Sequence, residues 1–177
     1  MNCLRLIPLF ALLAAPAQAD VLGVDLNGPA KAKASIIDSQ GRIVGKAEVK
    51  NLKDSGMRVT ISLSGLPRGE HGVHLHSIGA CEGPKFTSAG PHWNPHAKMH
   101  GLQNPDGAHA GDMPNIQLNK KGKGKLVFEI ADGRVKGDFA LMDSDGAAIV
   151  VHAQTDDQRT DPSGNSGDRI ACGVFVK

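Results

Sequence analysis

The feature that most constrains the fold of this chain is a series of short segments in which apolar and polar residues alternate. A period of two is typical of strands with one buried face, and no segment shows a 3.6-residue apolar period with helix caps. The 22 glycines and 10 prolines among 177 residues supply turns between the segments. We therefore predict an all-β fold, as a Greek-key β-barrel or sandwich. The alternating segments are 33–37, 44–49, 58–63, 73–78, 125–130 and 149–153.

Histidine is concentrated in a few motifs. Seven of the eight histidines fall in HLH, PHWNPHAKMHG, GAHAGD and VVH. Neutral imidazole is the commonest protein metal ligand, so the motifs indicate a metal site. His74 and His76 are two residues apart in a predicted strand and are expected to share one face. Taken alone, this pair is also compatible with two histidines on a half-buried strand.

Further candidate ligands occupy a stretch rich in Gly, Pro and Asn that reads as a long loop: His92, His100, His109 and Asp112. A long structureless loop is unusual in a compact domain unless something ties it down, and metal coordination would do so. The alternative is a set of unrelated surface histidines, which the coincidence with His152 after the apolar run 147–151 disfavours. His71 and His96 lack such partners and are expected to be structural or solvated.

The candidate set is too large for one four-coordinate ion. Six histidines and one carboxylate fill two four-coordinate sites only if one residue bridges, and a deprotonated imidazole has a lone pair on each ring nitrogen. Nitrogens in a tetragonal arrangement suit Cu(II), whereas three imidazoles and a carboxylate suit zinc. The seven candidate ligands therefore suffice for two closed metal sites if the sites share one ligand.

Successive motifs between about Leu66 and Val174 resemble the signatures of the copper-zinc superoxide dismutases, in the same order. They are GEHGVHLH, GAC, SAGPHWNP, KMHG, HAGDMPN, VVH and GNSGDRIACGV. The resemblance implies that His92 bridges the two metals, and it implies the two ligand sets. For copper they are His74, His76, His92 and His152, and for zinc they are His92, His100, His109 and Asp112.

The resemblance also implies roles for two further residues. Asp156 occupies the position of a carboxylate that links a copper ligand to a zinc ligand, and such partners fix imidazole orientation. Arg169 matches the arginine beside the open copper position. As in the family, His92 would leave copper on its reduction and take up a proton, so His92 and Arg169 are the expected catalytic residues.

The expected function is disproportionation of superoxide to dioxygen and hydrogen peroxide by redox cycling of copper. An alternative from another class is a non-catalytic periplasmic protein that buffers or delivers copper or zinc. Such a protein would keep the ligands but would not need Arg169, so the presence of Arg169 favours the enzyme.

The N-terminus predicts an exported protein. Arg5 precedes the apolar run 6–15, and Ala17-Gln18-Ala19 is a small-residue cleavage pattern, which together indicate a signal peptide at 1–19. The run is too short for a membrane span. We expect cleavage after Ala19, one superoxide dismutase domain at 20–177, and a periplasmic or secreted location.

Two cysteines, Cys81 and Cys172, remain after cleavage, because Cys3 lies in the signal peptide. A disulfide is the default expectation in an oxidising compartment, and a pair of free thiols is the alternative. The bridge would connect the start of the metal loop to the last strand.

Composition and loop lengths bear on partners. The formal net charge of +2, with no tyrosine and one tryptophan, argues against a nucleic-acid partner, and we expect no membrane partner either. Lys120, Lys121, Lys123 and Lys125 suit a polyanion or a membrane surface, but a solvated hairpin is favoured. Residues 82–86 lengthen one loop relative to eukaryotic members, and the loop after His152 is shorter. A homodimer is compatible with the resemblance, but the eukaryotic steering charges and mode of dimerisation are not carried over.

Overall fold

A computed structural model describes residues 30–137 and 139–177, and almost all of its regular structure is antiparallel strand. One 3₁₀ helix, Thr87–Ala89, is present, and these ranges contain no α-helix. The strands are β1 (Lys31–Asp38), β2 (Ile43–Asn51), β3 (Met57–Leu63), β4 (Gly69–His71), β5 (Val73–His76), β6 (Ile116–Leu118), β7 (Gly124–Ile130), β8 (Ala148–His152) and β9 (Arg169–Val174).

Seven strands form one sheet in the order β5-β8-β9-β1-β2-β3-β7, and β4 pairs with β6 in a second, two-stranded sheet. The consecutive strands β1, β2 and β3 are neighbours, and the later strand β9 returns to lie beside β1, which is the strand order of a Greek key. The prediction of an all-β Greek-key fold is therefore confirmed.

The apolar residues that alternate with polar residues in the sequence are the residues that are buried on one face of the sheet. In β1, Ala32, Ala34 and Ile36 are buried whereas Lys31, Lys33 and Ser35 are exposed. The same pattern continues in β3, where Val59 and Ile61 are fully buried. Burying an aliphatic side chain of this size contributes about 1.5–3 kcal/mol, so this face drives the sheet to close over its core.

Each of the six predicted segments overlaps a strand, and three strands lie outside them. β4 and β6 have three residues each, too few to show a period. β9 does not alternate in burial, because consecutive residues at its centre are buried on both faces. Pairing across the sheet, rather than local pattern, defines these three strands.

A disulfide joins Cys81 to Cys172, whose Cα atoms are 5.7 Å apart. The predicted bridge is therefore present. It lies in a small apolar cluster with Phe86, Ala148 and Val150. The cluster and the disulfide attach the start of the segment that follows β5 to strands β8 and β9.

The predicted signal peptide at 1–19, its cleavage after Ala19, and Cys3 lie outside the described residues. Within residues 30–137 and 139–177, no helix has the length and apolar character needed to cross a membrane.

Candidate metal centre

Two paired strands supply three of the histidines. β5 and β8 are antiparallel neighbours, and His74 and His76 on β5 and His152 at the end of β8 are all buried. The segment between β5 and β6 returns over β5, with backbone bridges between His74 and Asp112 and between His76 and His92. Strand pairing therefore brings residues that are distant in sequence to one place.

The donor atoms of the predicted ligands converge in two overlapping groups, and within each group they lie within 4.8 Å of one another. His92 belongs to both groups. The four-histidine group consists of His74, His76, His92 and His152. The histidine-aspartate group consists of His92, His100, His109 and Asp112.

In the four-histidine group each ring is fixed through one nitrogen. His74 Nε2 lies 2.7 Å from the Asp156 carboxylate, and His92 Nδ1 lies 2.9 Å from the Asp112 carboxylate. His76 Nδ1 lies 2.9 Å from the Gly90 carbonyl oxygen, and His152 Nδ1 lies 3.1 Å from the Gly167 carbonyl oxygen. The other four nitrogens are buried and have no hydrogen-bond partner among the described residues; they are His74 Nδ1 and the Nε2 atoms of His76, His92 and His152.

This pattern fits a metal ion and does not fit an ordinary buried polar cluster. A neutral imidazole that donates a proton from one nitrogen presents a lone pair on the other. Four buried lone pairs that face one another without donors would be costly, and a cation that accepts all four satisfies them. Four imidazole nitrogens are a donor set suited to copper.

The histidine-aspartate group has the dimensions of a tetrahedral site. Asp112 Oδ1 lies 2.9 Å from His92 Nδ1, 3.0 Å from His100 Nδ1 and 3.3 Å from His109 Nδ1. His92 Nδ1 and His109 Nδ1 are 3.3 Å apart. Zinc-nitrogen bonds of about 2.0–2.1 Å give a tetrahedron whose edges are about 3.3 Å, so these residues fit zinc.

Asp156 connects the two groups. Its Oδ2 lies 2.7 Å from His74 Nε2, and its Oδ1 lies 3.0 Å from His100 Nε2. Gly164, at φ 63°, passes so close that a Cβ there would overlap the Asp156 carboxylate. A glycine is therefore required at this position both for its backbone conformation and for the space.

Burial keeps the four-histidine group neutral. It lowers the pKa of His92 to about 4 and that of His152 to about 3, and the neighbouring His74 adds to both shifts. Burial likewise lowers the pKa of His74 and lowers that of His76 well below the usual range. Neutral imidazole is the form that binds metals, so burial prepares these rings as ligands.

The carboxylates act in the opposite direction on His100. Burial alone would lower its pKa, but hydrogen bonds and charge from Asp112 and Asp156 outweigh burial and raise the pKa to about 9. Burial would raise the pKa of Asp112 and of Asp156, but hydrogen bonds with the histidines lower both well below the usual range. Two ionised buried carboxylates thus attract positive charge to this end of the site, either as protons or as a metal ion.

Arg169 begins β9 and is half-buried. Its Nη1 donates to the Phe86 carbonyl and its Nη2 to the Gly90 carbonyl, both at 2.8 Å. A cavity of about 730 Å³ is lined by Arg169 together with His92 and His152. The guanidinium is therefore held beside an opening that leads to the four-histidine group.

His71 and His96 lie outside both groups. His71 is buried, with Nδ1 2.8 Å from the His152 carbonyl and Nε2 3.0 Å from the Pro67 carbonyl. His96 is exposed, and its ring centroid lies 5.8 Å from that of Phe139.

The importance of Gly90 is not evident from the residue motifs alone. Its carbonyl accepts from both His76 and Arg169, and its φ of 73° lies in the left-handed region. A Cβ at this position would approach Ile78 Cδ1 to 2.8 Å. The Gly-Pro dipeptide at 90–91 indicates a turn, but only the fold shows which side chains reach that carbonyl.

Comparison with known proteins agrees with this geometry. The family model described as Copper/zinc superoxide dismutase (SODC) matches residues 43–175. Cu-Zn superoxide dismutase 2 of Aquifex aeolicus (strain VF5) is 44% identical over 82% of this chain and 86% of its own length. The Cu-Zn superoxide dismutase of Deinococcus radiodurans is 37% identical over 97% of this chain and 96% of its own length.

Solved structures agree as well. The crystal structure of a SOD-like protein from Bacillus subtilis has a TM-score of 0.77 and 39% sequence identity, and the match covers 81% of this chain and 97% of that one. The predicted resemblance is confirmed: this chain belongs to the copper/zinc superoxide dismutase family.

Proposed function

We propose that this chain is an exported superoxide dismutase, which converts two superoxide ions and two protons to one dioxygen and one hydrogen peroxide. The observation that carries the proposal is the placement of Arg169. A fixed guanidinium lies beside a cavity that reaches His92 and His152, which is an arrangement for capturing a small anion next to the four-histidine group.

The positions of the donor atoms support the ligand assignment. Copper would be held by the four nitrogens, on His74, His76, His92 and His152, that have no hydrogen-bond partner within the described part of the chain. Zinc would be held by His92, His100, His109 and Asp112. When bound, copper would supply one-electron chemistry by alternating between two oxidation states, and His92 and its loop would be held in place by coordination to zinc.

Arg169 binds and orients the substrate. Two of the five N–H donors of a guanidinium are used by the carbonyls of Phe86 and Gly90, so others remain for an anion in the cavity. The two carbonyls hold the planar group in one orientation, which reduces the entropy lost when superoxide binds. A positive charge at the cavity also raises the local concentration of the anion.

His92 holds and transfers a proton. It lines the cavity, its Nδ1 is directed to Asp112, and its Nε2 has no partner among the described residues. Burial lowers the pKa of this imidazole to about 4, so a proton on it is given up more readily than a proton on a free imidazole. A proton held at Nε2 would therefore pass readily to the strongly basic peroxide product.

The metal-buffering alternative shares the ligands but gives no role to the cavity or to Arg169. The deciding experiment is a superoxide disproportionation assay on protein of measured copper and zinc content. We expect activity that rises in proportion to copper bound in zinc-loaded protein. If protein fully loaded with both metals disproportionates superoxide no faster than the assay solution alone, the enzyme proposal is overturned in favour of the metal-buffering alternative.

Export is supported by the N-terminal pattern and by the disulfide. Arg5, the run 6–15 and Ala17-Gln18-Ala19 have the order of a signal peptide, and the Cys81–Cys172 bridge suits an oxidising compartment. N-terminal sequencing of protein recovered from the periplasm or the medium should begin at Asp20. A mature protein that still begins at Met1 would contradict export by cleavage.

A further inference from the structure

The outward side of four adjacent strands is strongly basic. Strands β1, β2, β3 and β7 pair in register, so their exposed residues form rows across the sheet. The row Lys31, Lys50, Arg58 and Glu129 places three cations side by side on neighbouring strands. We call the cations of these strands the basic face: Lys31, Lys33, Lys46, Lys50, Arg58 and Lys125.

Most of this charge is not neutralised. Arg58 pairs with Glu129 at 2.6 Å and Lys33 pairs with Glu48 at 3.8 Å. Among the described residues, no carboxylate lies within 4.0 Å of the remaining four lysines of the face. Six cations and the two exposed-side acids Glu48 and Glu129 give the outward side of these strands a net charge of +4, since Asp38 is buried, although the whole chain carries only +2.

The arrangement is costly for the fold by itself. Like charges directly opposite each other on neighbouring strands destabilise a sheet, and Lys31, Lys50 and Arg58 are in that relation. An anionic partner would convert this repulsion into attraction.

The lysine-rich turn extends the same surface. Lys120, Lys121 and Lys123 are exposed in the turn between β6 and β7, directly before Lys125. The Asn119 side chain fixes this turn by accepting hydrogen bonds from the backbone N–H groups of Lys121 and Lys123. The hairpin expected to be merely solvated is therefore continuous with the basic face.

The face contains a shallow groove rather than a flat surface. The groove has a volume of about 420 Å³ and crosses β1, β2 and β3. Glu48 also lines the groove and pairs with Lys33, so Lys46 provides the unpaired positive charge in it, and Ser35, Thr60 and Ser62 provide hydroxyl groups. Cations together with hydroxyls suit a ligand that carries both anionic groups and hydroxyls.

We propose that the basic face binds an anionic polysaccharide, a flexible chain that bears sulfate, phosphate or carboxylate groups. A flexible chain can lie in the groove while its charges reach the surrounding lysines, whereas a planar bilayer cannot enter it. The strands of the face present no exposed aromatic ring on which bases would stack, which disfavours a single-stranded nucleic acid. The metal ligands lie on β5, β8 and their loops, so the bound protein would keep its metal centre uncovered.

The test uses dextran sulfate as probe and uncharged dextran as its control, with the mature disulfide-bonded protein. The variant Lys31→Gln/Lys46→Gln/Lys50→Gln is compared with Lys85→Gln/Lys98→Gln/Lys136→Gln, which removes the same charge from exposed positions outside the face. We expect the first to bind dextran sulfate about tenfold or more weakly and with a shallower salt dependence, and the second to change by less than about twofold.

A variant in which the same three lysines of the face are replaced by arginine should bind dextran sulfate as the native protein does. The native protein should keep its superoxide dismutase activity when it is bound to dextran sulfate. Equal loss in both glutamine triples would overturn the proposal, because binding would then follow net charge alone. Failure of the native protein to bind dextran sulfate would also overturn it. Tighter binding to vesicles of phosphatidylglycerol and phosphatidylcholine in equal parts, lost in the same triple, would replace the polysaccharide by a membrane surface.

Discussion

His76 and Arg169 donate hydrogen bonds to the same acceptor, the backbone carbonyl oxygen of Gly90, at 2.9 and 2.8 Å. One peptide group therefore sets the orientation of a proposed copper ligand and of the cation beside it. The loop that carries Gly90 is attached to β9 through the Cys81–Cys172 disulfide, and five residues after Cys81 the Phe86 carbonyl accepts a second hydrogen bond from Arg169. The disulfide thus supports the geometry of the site as well as the fold.

Reduction of the disulfide should therefore destabilise the protein and loosen this loop. The bridge closes a separation of 91 residues, for which loop entropy assigns about 4.5 kcal/mol as an upper figure. Intact mass should rise by two hydrogens on reduction, and the melting temperature should fall. Finding two free thiols in freshly exported protein would contradict the bridge.

The two metals should be separable by mutation. His152→Ala should remove copper and activity but retain zinc, because His152 belongs only to the four-histidine group. Asp112→Ala or His100→Ala should remove zinc, and His96→Ala, outside both groups, should retain about one copper and one zinc per chain. Elemental analysis after reconstitution measures all four variants. Unchanged zinc in Asp112→Ala, or full activity in His152→Ala, would show the assignment to be wrong.

Asp156→Asn should weaken the binding of both metals. The carboxylate accepts from the rings of His74 and His100, whereas an amide can accept through its oxygen only. Loss of such a partner costs about 10–100-fold in metal affinity, which chelator competition would measure. Asp157→Asn is the matched control, since this neighbouring exposed carboxylate contacts Thr160 and Asn165 instead. Equal affinities in the two variants would contradict the linking role.

The sequence predicts the parts of this molecule that depend on local pattern. Alternation locates strands such as β1, because a half-buried strand exposes every second residue. The spacing of His74 and His76 likewise implies a shared face. The sequence pattern does not predict β4 and β6, because these strands pair over only three residues and are defined by contact between distant segments.

The unpredicted parts of the site are backbone groups and long-range contacts. The carbonyls of Phe86 and Gly90 have no signature in residue type, yet they fix Arg169. The basic face is similarly invisible in the sequence, since Lys50 and Arg58 become neighbours only through the register of β2 and β3.

Arg169 provides the prediction that distinguishes the enzyme from a metal buffer. Superoxide is a small anion, and a guanidinium beside the cavity raises its local concentration and orients it, an effect that ionic strength screens. Arg169→Ala should therefore keep both metals, lower the second-order rate and lose part of the salt sensitivity. Arg169→Glu should be slower still because it repels the substrate. Arg169→Lys should recover only part of the rate, because lysine supplies the charge but cannot bind both carbonyls through one planar group.

Stopped-flow rates across a salt series compare the four proteins at measured metal content. If all four turn over superoxide alike, Arg169 has no role in capture, and the argument against the metal buffer is lost.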